Sequence, residues 1–197
     1  MKHLKIIFSL MIVGLLLSSI SVFAQDKEHK MSPEEKAWME YMTPGKMHEH
    51  FKSQVGDWTY VSKYWMDPES KKPMVTNGTA KFESMFGGRY LKTTHSGMMM
   101  GMPFNGFGLT GYDNARKVYQ SIWADNMGTG IMYMTGNMKD GKMVLTGSAP
   151  DPASGHNVRM KEVTTTIDKD HFTFEMYLLT PKGDIKTMEI NYTRKTK

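Results

Sequence analysis

Four of the five residues between positions 98 and 102 are methionine, and their thioethers are the most unusual chemical groups of this chain. Thioethers are soft ligands that suit Cu(I), with His48 and His50 as candidate imidazole partners. The two histidines are two positions apart on a predicted helix, so their rings point to different faces, and a solvated polar turn is the preferred interpretation there. Methionine also fills irregular cores because its side chain is flexible, and we favour that role. The four methionines are Met98, Met99, Met100 and Met102.

A second set of polar side chains lies in segments that alternate polar and apolar residues. The alternation predicts that Arg89, His95, Asp125 and Glu162 face an interior, where buried charges must pair. An internal Arg89 beside Asp125 or Glu162 is then either a structural ion pair or the polar end of a ligand pocket. Aromatic residues are expected to complete the wall. The candidate ligand-binding residues are Trp58, Tyr60, Tyr64, Arg89, His95, Trp123, Asp125, Glu162, Phe172, Phe174 and Tyr192.

Other chemistries have less support. A haem site would need one of His95, His156 or His171 as its axial ligand, and only His95 lies away from predicted turns. The sequence contains no cysteine, no serine in a nucleophile elbow and no His-Glu-x-x-His pattern. We therefore expect a binding protein rather than an enzyme, and no cofactor is identified.

The elements that must position these side chains are mostly strands. From Gly56 onward the apolar residues recur with a period of two, and turn residues separate the apolar runs. Strands without helices between them pair antiparallel, and closure removes the exposed edges. The sequence predicts a mainly β fold, an antiparallel up-and-down barrel of about ten strands after a short N-terminal helical segment. The predicted strands are 57–66, 75–85, 89–97, 104–112, 116–125, 130–138, 142–149, 157–167, 171–179 and 184–194.

The methionine run falls between two of these strands. Residues 97–103 are predicted to form a loop lined by methionine at one end of the barrel. Glycines follow it at positions 106, 108 and 111, where a strand glycine marks a bend or a close approach of other groups. The loop is therefore expected to lead into a curved strand.

The N-terminus resembles an export signal. Residues 1–24 combine basic Lys2 and Lys5, an apolar run and small residues before Ala24, which predicts a signal peptide cleaved after Ala24. Residues 25–31 are predicted to be a disordered linker, 32–55 a helical segment and 56–197 the barrel domain. We expect a periplasmic or secreted bacterial protein with no stable membrane span after cleavage.

Charge argues against nucleic acid as a partner. The net charge is +5, and the basic residues are interspersed rather than grouped with aromatic residues. We expect a small apolar or amphipathic molecule in the barrel lumen as the partner. The alternatives are a periplasmic copper-handling protein that uses the loop from Met98 to Met102, and an envelope scaffold with a filled barrel and no ligand. The oligomeric state stays open.

Several motifs carry a family resemblance. The segments FGGRYL, GMPFNGFGLTGYDN, DNMGTGIM, KEVTTTID, FTFEMYLL and MEINYTRK closely resemble the DUF1579 family, whose function is uncharacterised, from about Pro44 to Lys195. The GDW segment at Gly56 is similar to the Gly-x-Trp start of lipocalin-like (calycin) barrels. The resemblance implies a lipocalin-like barrel and supplies no catalytic residues. At the level of fold alone, the chain also resembles nitrobindin-type haem barrels, and fold analogy does not transfer function.

Overall fold

Ten antiparallel strands form a closed barrel in a computed structural model that describes residues 30–67 and 72–196. The predicted signal peptide and residues 25–29 of the predicted linker lie outside the described residues. Two short helices, α1 (Pro33–Met42) and α2 (Lys46–Gln54), precede the barrel. The strands are β1 (Gly56–Tyr64), β2 (Met74–Met85), β3 (Tyr90–Met99), β4 (Met102–Asp113), β5 (Val118–Asp125), β6 (Met132–Lys139), β7 (Lys142–Asp151), β8 (His156–Thr166), β9 (His171–Thr180) and β10 (Gly183–Arg194).

The topology is that of a lipocalin-like meander. Each strand pairs with its neighbours in the chain, and β1 closes the ring by pairing with β10 from Trp58 opposite Arg194 to Tyr64 opposite Met188. Closure satisfies the backbone groups that an open sheet would expose at its edges. The predicted fold class is confirmed.

Strand ends differ from the prediction where a turn is tighter than the sequence suggested. The predicted loop at 97–103 is wrong, because β3 and β4 continue to Met99 and Met102 and leave only a two-residue turn. Met100 and Gly101 both have positive φ, 53° and 78°, as a type I′ hairpin turn requires. The methionine run therefore lies at the tip of a tight hairpin.

The first helix begins as predicted. Ser32 and Glu35 form a capping box, in which the Glu35 backbone N–H donates to Ser32 Oγ at 3.2 Å and the Ser32 N–H donates to Glu35 Oε2 at 2.7 Å. No residue of α1 is buried. Asn114 holds the end of α1 to the barrel, because its Nδ2 donates to the carbonyl oxygens of Glu40, Tyr41 and Thr43 at 2.8 to 3.2 Å. Neither helix in the part of the chain described has the length and apolar character needed to cross a membrane.

The second helix closes one end of the barrel. Its Phe51 is 1% exposed and meets the ring of Tyr119 edge-on at 5.9 Å. Tyr119 Oη in turn donates to the carbonyl oxygen of Met47 at 2.8 Å. His48 is buried against Phe51 and Tyr112, which corrects the expectation of a solvated turn at His48 and His50. The reason is that α2 lies across the barrel end, so one side of the helix loses its solvent.

Replacing Phe51 by alanine tests how strongly α2 is held against the barrel. The substitution leaves a cavity between α2 and Tyr119, so we expect the free energy of unfolding to fall by about 3 kcal/mol. Urea denaturation followed by circular dichroism measures the change. Lys52→Ala, at a solvent-exposed side chain on the same helix, is the matched control and should have little effect. A loss below about 1 kcal/mol for Phe51→Ala would contradict the closed end described here.

Candidate ligand cavity

The inner faces of the strands enclose a cavity of about 730 Å³. In an up-and-down barrel, alternate connections lie at opposite ends, so the β3–β4, β5–β6 and β7–β8 connections face away from α2. Residues 128–131 of the β5–β6 connection are exposed and also line the cavity, as does Pro152 of the β7–β8 connection. The cavity therefore reaches the surface at the end opposite α2, and this end is called the mouth below.

Glycines on the inner face make room for two aromatic side chains that lie flat on the wall. A Cβ atom at Gly78 would overlap the ring of Tyr60, and one at Gly106 would overlap the ring of Trp123. The predicted close approach in the glycine-rich strand is thus the indole of Trp123. Both rings line the cavity, where they supply apolar contact area.

A buried histidine and tyrosine form a hydrogen-bonded pair across the interior. His95 Nε2 lies 2.8 Å from Tyr192 Oη, and both side chains are buried. Burial lowers the pKa of His95 to about 4, because the charged imidazolium would lose its hydration. Burial also raises the pKa of Tyr192 well above its usual value. Both groups are therefore neutral near pH 7.

Glu162 is the buried carboxyl group of the cavity. The residue is 8% exposed, it lines the cavity, and its carboxyl group makes no hydrogen bond or ion pair with any residue in the described ranges. Burial raises its pKa to about 7, because the carboxylate loses hydration and gains no partner in return. An unpaired buried acid is costly, and such groups cluster at functional sites, so Glu162 is a candidate site residue.

Asp125 is the second carboxyl group of the lining, and it is already engaged. Its Oδ2 accepts a hydrogen bond from Trp123 Nε1 at 2.6 Å, and its Oδ1 accepts one from the Met127 backbone N–H at 2.9 Å. These bonds fix the indole on the wall and tie the mouth connection to β5. Asp125 therefore positions Trp123 and the β5–β6 connection.

The predicted interior position of Arg89 is wrong. Arg89 lies in the turn before β3, where its guanidinium donates to the carbonyl oxygen of Phe86 at 2.8 Å and to that of Met42. Alternation begins only at Tyr90, because Phe86 and the two following glycines adopt positive φ in that turn. Arg89 consequently pairs with neither Asp125 nor Glu162. No lysine or arginine from the described part of the chain lines the cavity.

Two of the predicted aromatic residues lie in the core at the closed end instead. Trp58 packs beneath the guanidinium of Arg194, whose Cζ is 4.1 Å from the ring centre, and its Nε1 donates to the carbonyl oxygen of Gln54 at 2.9 Å. The ring of Phe172 stacks on that of Tyr192, with 4.2 Å between the ring centroids. The predicted site residues that line the cavity are Tyr60, Tyr64, His95, Trp123, Asp125, Glu162, Phe174 and Tyr192.

Sequence reasoning missed further lining residues, of which Ser62 is the most deeply buried. Ser62 is 0% exposed, and its hydroxyl lies beside the phenol of Tyr64 without a hydrogen bond of good geometry. Its position between Tyr60 and Tyr64 at a period of two was the available signal. Hydrophobic alternation identifies inward-facing apolar residues and does not identify small polar residues on the same face.

The soft-metal candidates share the β3–β4 hairpin but differ in exposure, and the candidate haem ligands lie on different strands. Met99 lines the cavity near the mouth, whereas Met98, Met100 and Met102 are each about half exposed. Of the three candidate haem ligands, His95 faces the cavity, and His156 and His171 are exposed. Within residues 30–67 and 72–196, no group of three or more histidine, cysteine, aspartate or glutamate side chains could hold a metal ion.

Comparison with known proteins places the chain in a family. The family model described as protein of unknown function, DUF1579, matches residues 43–194. The chain belongs to the DUF1579 family. No curated protein sequence matches it. The predicted resemblance to this family is confirmed, and the match covers the second helix and all ten strands.

Solved structures similar to this DUF1579 protein share its barrel. Rv2717c from M. tuberculosis is 13% identical with a TM-score of 0.51, and the alignment covers 78% of this chain and 100% of that one. The S-type phycobiliprotein lyase CPES from Guillardia theta is 10% identical with a TM-score of 0.52, covering 81% of this chain and 97% of the lyase. At such low identity these similarities establish the fold alone.

The burial of Glu162 predicts a pH-dependent stability difference. In the unfolded chain the carboxyl has its ordinary pKa of 4.5, and in the folded chain it has a pKa of about 7, so the folded state holds the proton more tightly. Rising pH therefore costs the folded protein stability between these values, by about 3 kcal/mol in total. Glu162→Gln removes this cost, so its unfolding free energy relative to the parent should be about 3 kcal/mol higher at pH 8 than at pH 4.

Urea denaturation of both proteins at several pH values measures this difference. His95 changes stability in the opposite direction, because its lowered pKa costs stability as pH falls from 6.5 toward about 4, but this effect is common to both proteins. Glu175→Gln on the outer face is the control, since it removes an ion pair with Lys186 and should not stabilise. A difference between Glu162→Gln and the parent that does not vary with pH would contradict an unpaired buried carboxyl group.

Proposed function

We propose that this protein binds a small apolar or amphipathic molecule in the lumen of its barrel. The observation that supports this function best is the cavity of about 730 Å³, which reaches the surface at one end. Ligand sites in proteins commonly have volumes of about 300 to 1,000 Å³, apolar walls and a few placed polar groups. The walls here carry aromatic and methionine side chains, with His95, Asp125 and Glu162 as the polar elements.

The cavity favours this function over a filled scaffold. Inward-facing side chains fill small barrels when the only requirement is stability, since empty space forfeits packing contacts. In this barrel the inner positions opposite Trp123 and Tyr60 are glycines, which leave space for these large rings and keep the lumen open. A barrel whose work is done only by its outer surface has no use for such an interior.

The methionines have a role in this proposal without any metal. Met99 and Met127 line the cavity near the mouth, and Ile131 at the rim is 70% exposed. Flexible thioether side chains adapt their shape to different apolar groups, as at other adaptable binding surfaces. The methionine-rich mouth would therefore admit ligands of varied shape.

Probe binding with a narrowed mouth tests the proposal. The neutral dye phenylnaphthylamine fluoresces in apolar surroundings, and we expect the protein to enhance its fluorescence saturably. Ala149 faces the cavity from β7, so Ala149→Trp should obstruct the mouth and reduce the dye's affinity by about tenfold, near 1.4 kcal/mol. The adjacent Ser148 is exposed on the other face, so Ser148→Trp is the matched control.

Two outcomes would contradict lumen binding. One is the absence of saturable enhancement with the parent protein. The other is an equal loss of affinity in Ala149→Trp and Ser148→Trp, which would indicate adsorption to the outer surface. Circular dichroism of both variants establishes that they remain folded.

We also propose export of the protein and removal of residues 1–24. The support is the order of basic, apolar and small residues that ends at Ala24. The intact mass of the protein purified from its own host should correspond to a chain that starts at Gln25. The mass of the protein should be measured separately in the envelope fraction and in the cytoplasmic fraction. A full-length mass in every fraction would contradict the proposal.

A further inference from the structure

The groups that line the cavity have a consistent electrostatic character. The lining contains two carboxyl groups, Asp125 and Glu162, and no lysine or arginine from the described residues. The other titratable lining groups are the tyrosines at 60, 64 and 192 and His95, and burial shifts each of their pKa values toward the neutral form. Any charge that the protein itself places in the lumen near pH 7 is therefore negative.

Only one of the two carboxyl groups makes no hydrogen bond with the described part of the chain. Both oxygens of Asp125 accept hydrogen bonds from Trp123 and Met127. The Glu162 carboxyl has no partner in the described chain, although the residue is only 8% exposed. His95 Nε2 and Tyr192 Oη form a hydrogen bond with each other, and neither atom bonds Glu162.

We propose that the cavity selects amphipathic ligands with a nitrogen head group that donates hydrogen bonds, preferably an organic ammonium ion, and that Glu162 accepts from that group. This inference rests on the proposed function, because it names the ligand class of the same lumen. The geometry that supports it is the enclosed Glu162 carboxyl group, to which no donor of the described residues bonds. A ligand N–H would satisfy the acceptor, and an ammonium ion would also neutralise the charge.

The rest of the wall suits a cation as well. Trp123 and Tyr64 line the same cavity, and the faces of aromatic rings attract ammonium groups. An anionic amphiphile such as a fatty acid would meet no basic side chain of the described residues in the lumen and would be repelled by ionised Glu162. The ligand preference of this barrel is therefore set by charge as well as by apolar contact.

The pH dependence of binding follows from the same groups. Burial raises the pKa of Glu162 to about 7, so the carboxylate that pairs best with ammonium forms as pH rises through that value. His95 stays neutral in this range, because its pKa is lowered to about 4. Ammonium binding should therefore strengthen between about pH 6 and pH 8, whereas binding of an uncharged ligand should change little.

Three amphiphiles with the same chain and different head groups test the proposal. Octylammonium, octanol and octanoate each compete with phenylnaphthylamine at about pH 8, where Glu162 is mostly ionised. We expect octylammonium to bind at least about tenfold more tightly than octanoate, with octanol between them. At about pH 6 the advantage of octylammonium over octanol should shrink.

The variant Glu162→Gln assigns the preference to one residue. Glutamine keeps the size and an acceptor oxygen but removes the charge, so the affinity for octylammonium should fall about tenfold while that for octanol changes less than about twofold. Glu175→Gln on the outer face is the matched control and should change neither affinity, since its carboxylate pairs with Lys186 away from the lumen.

The outcomes separate this inference from the proposed function. If octanol and the dye bind in the lumen but octanoate binds as well as octylammonium, the inference is wrong and lumen binding stands. If Glu162→Gln leaves the preference for octylammonium intact, Glu162 is not its acceptor. If none of the amphiphiles nor the dye binds, the proposed function fails together with the inference.

Discussion

The pairing of β1 with β10 is the interaction on which the remaining structure depends. It joins the first and last strands from Trp58 opposite Arg194 to Tyr64 opposite Met188, and so turns an open meander into a ring. Because the sheet is closed, one face of each strand lines the interior and the other faces outward. Alternate side chains along a strand therefore lie in different environments. Tyr60 and Tyr192, which are partners in this pairing, both line the lumen as a result.

The interior combines large rings with glycines rather than filling space uniformly. Trp123 lies opposite Gly108 and beside Gly106, and Tyr60 lies opposite Gly78, so each ring occupies the space that a neighbouring side chain would have taken. Rings laid on the wall leave the centre of the barrel unoccupied. The closed end is packed differently, with Trp58, Phe172 and Phe51 of α2 in full contact with their neighbours. The tightly packed core therefore lies at the closed end of the barrel, and the cavity lies toward the mouth.

The location of one arginine determines the electrostatics of the lumen. With Arg89 inside, its guanidinium would lie near the lumen carboxyl groups and could pair with one of them. Because Arg89 instead bonds carbonyl oxygens in the turn before β3, Glu162 has no cationic partner among residues 30–67 and 72–196. An unpaired buried carboxyl group costs stability, and it persists most readily where another molecule supplies the missing donor.

The sequence by itself determined the helical start at Ser32, the ten strands and their antiparallel order, because capping and a period of two are local properties of the chain. It also predicted inward positions for the candidate residues, most of which line the cavity. It could not determine that Arg89 leaves the wall, since the positive φ values of the preceding turn are not visible in the alternation. Nor could it determine that Trp58 and Phe172 pack at the closed end while Tyr60 and Phe174 reach the cavity. The position of each side chain along the barrel axis depends on strand register and on where α2 packs. Both depend on contacts between distant parts of the chain. The tertiary structure therefore decided which inward residues line the cavity and which carboxyl group has no partner among the described residues.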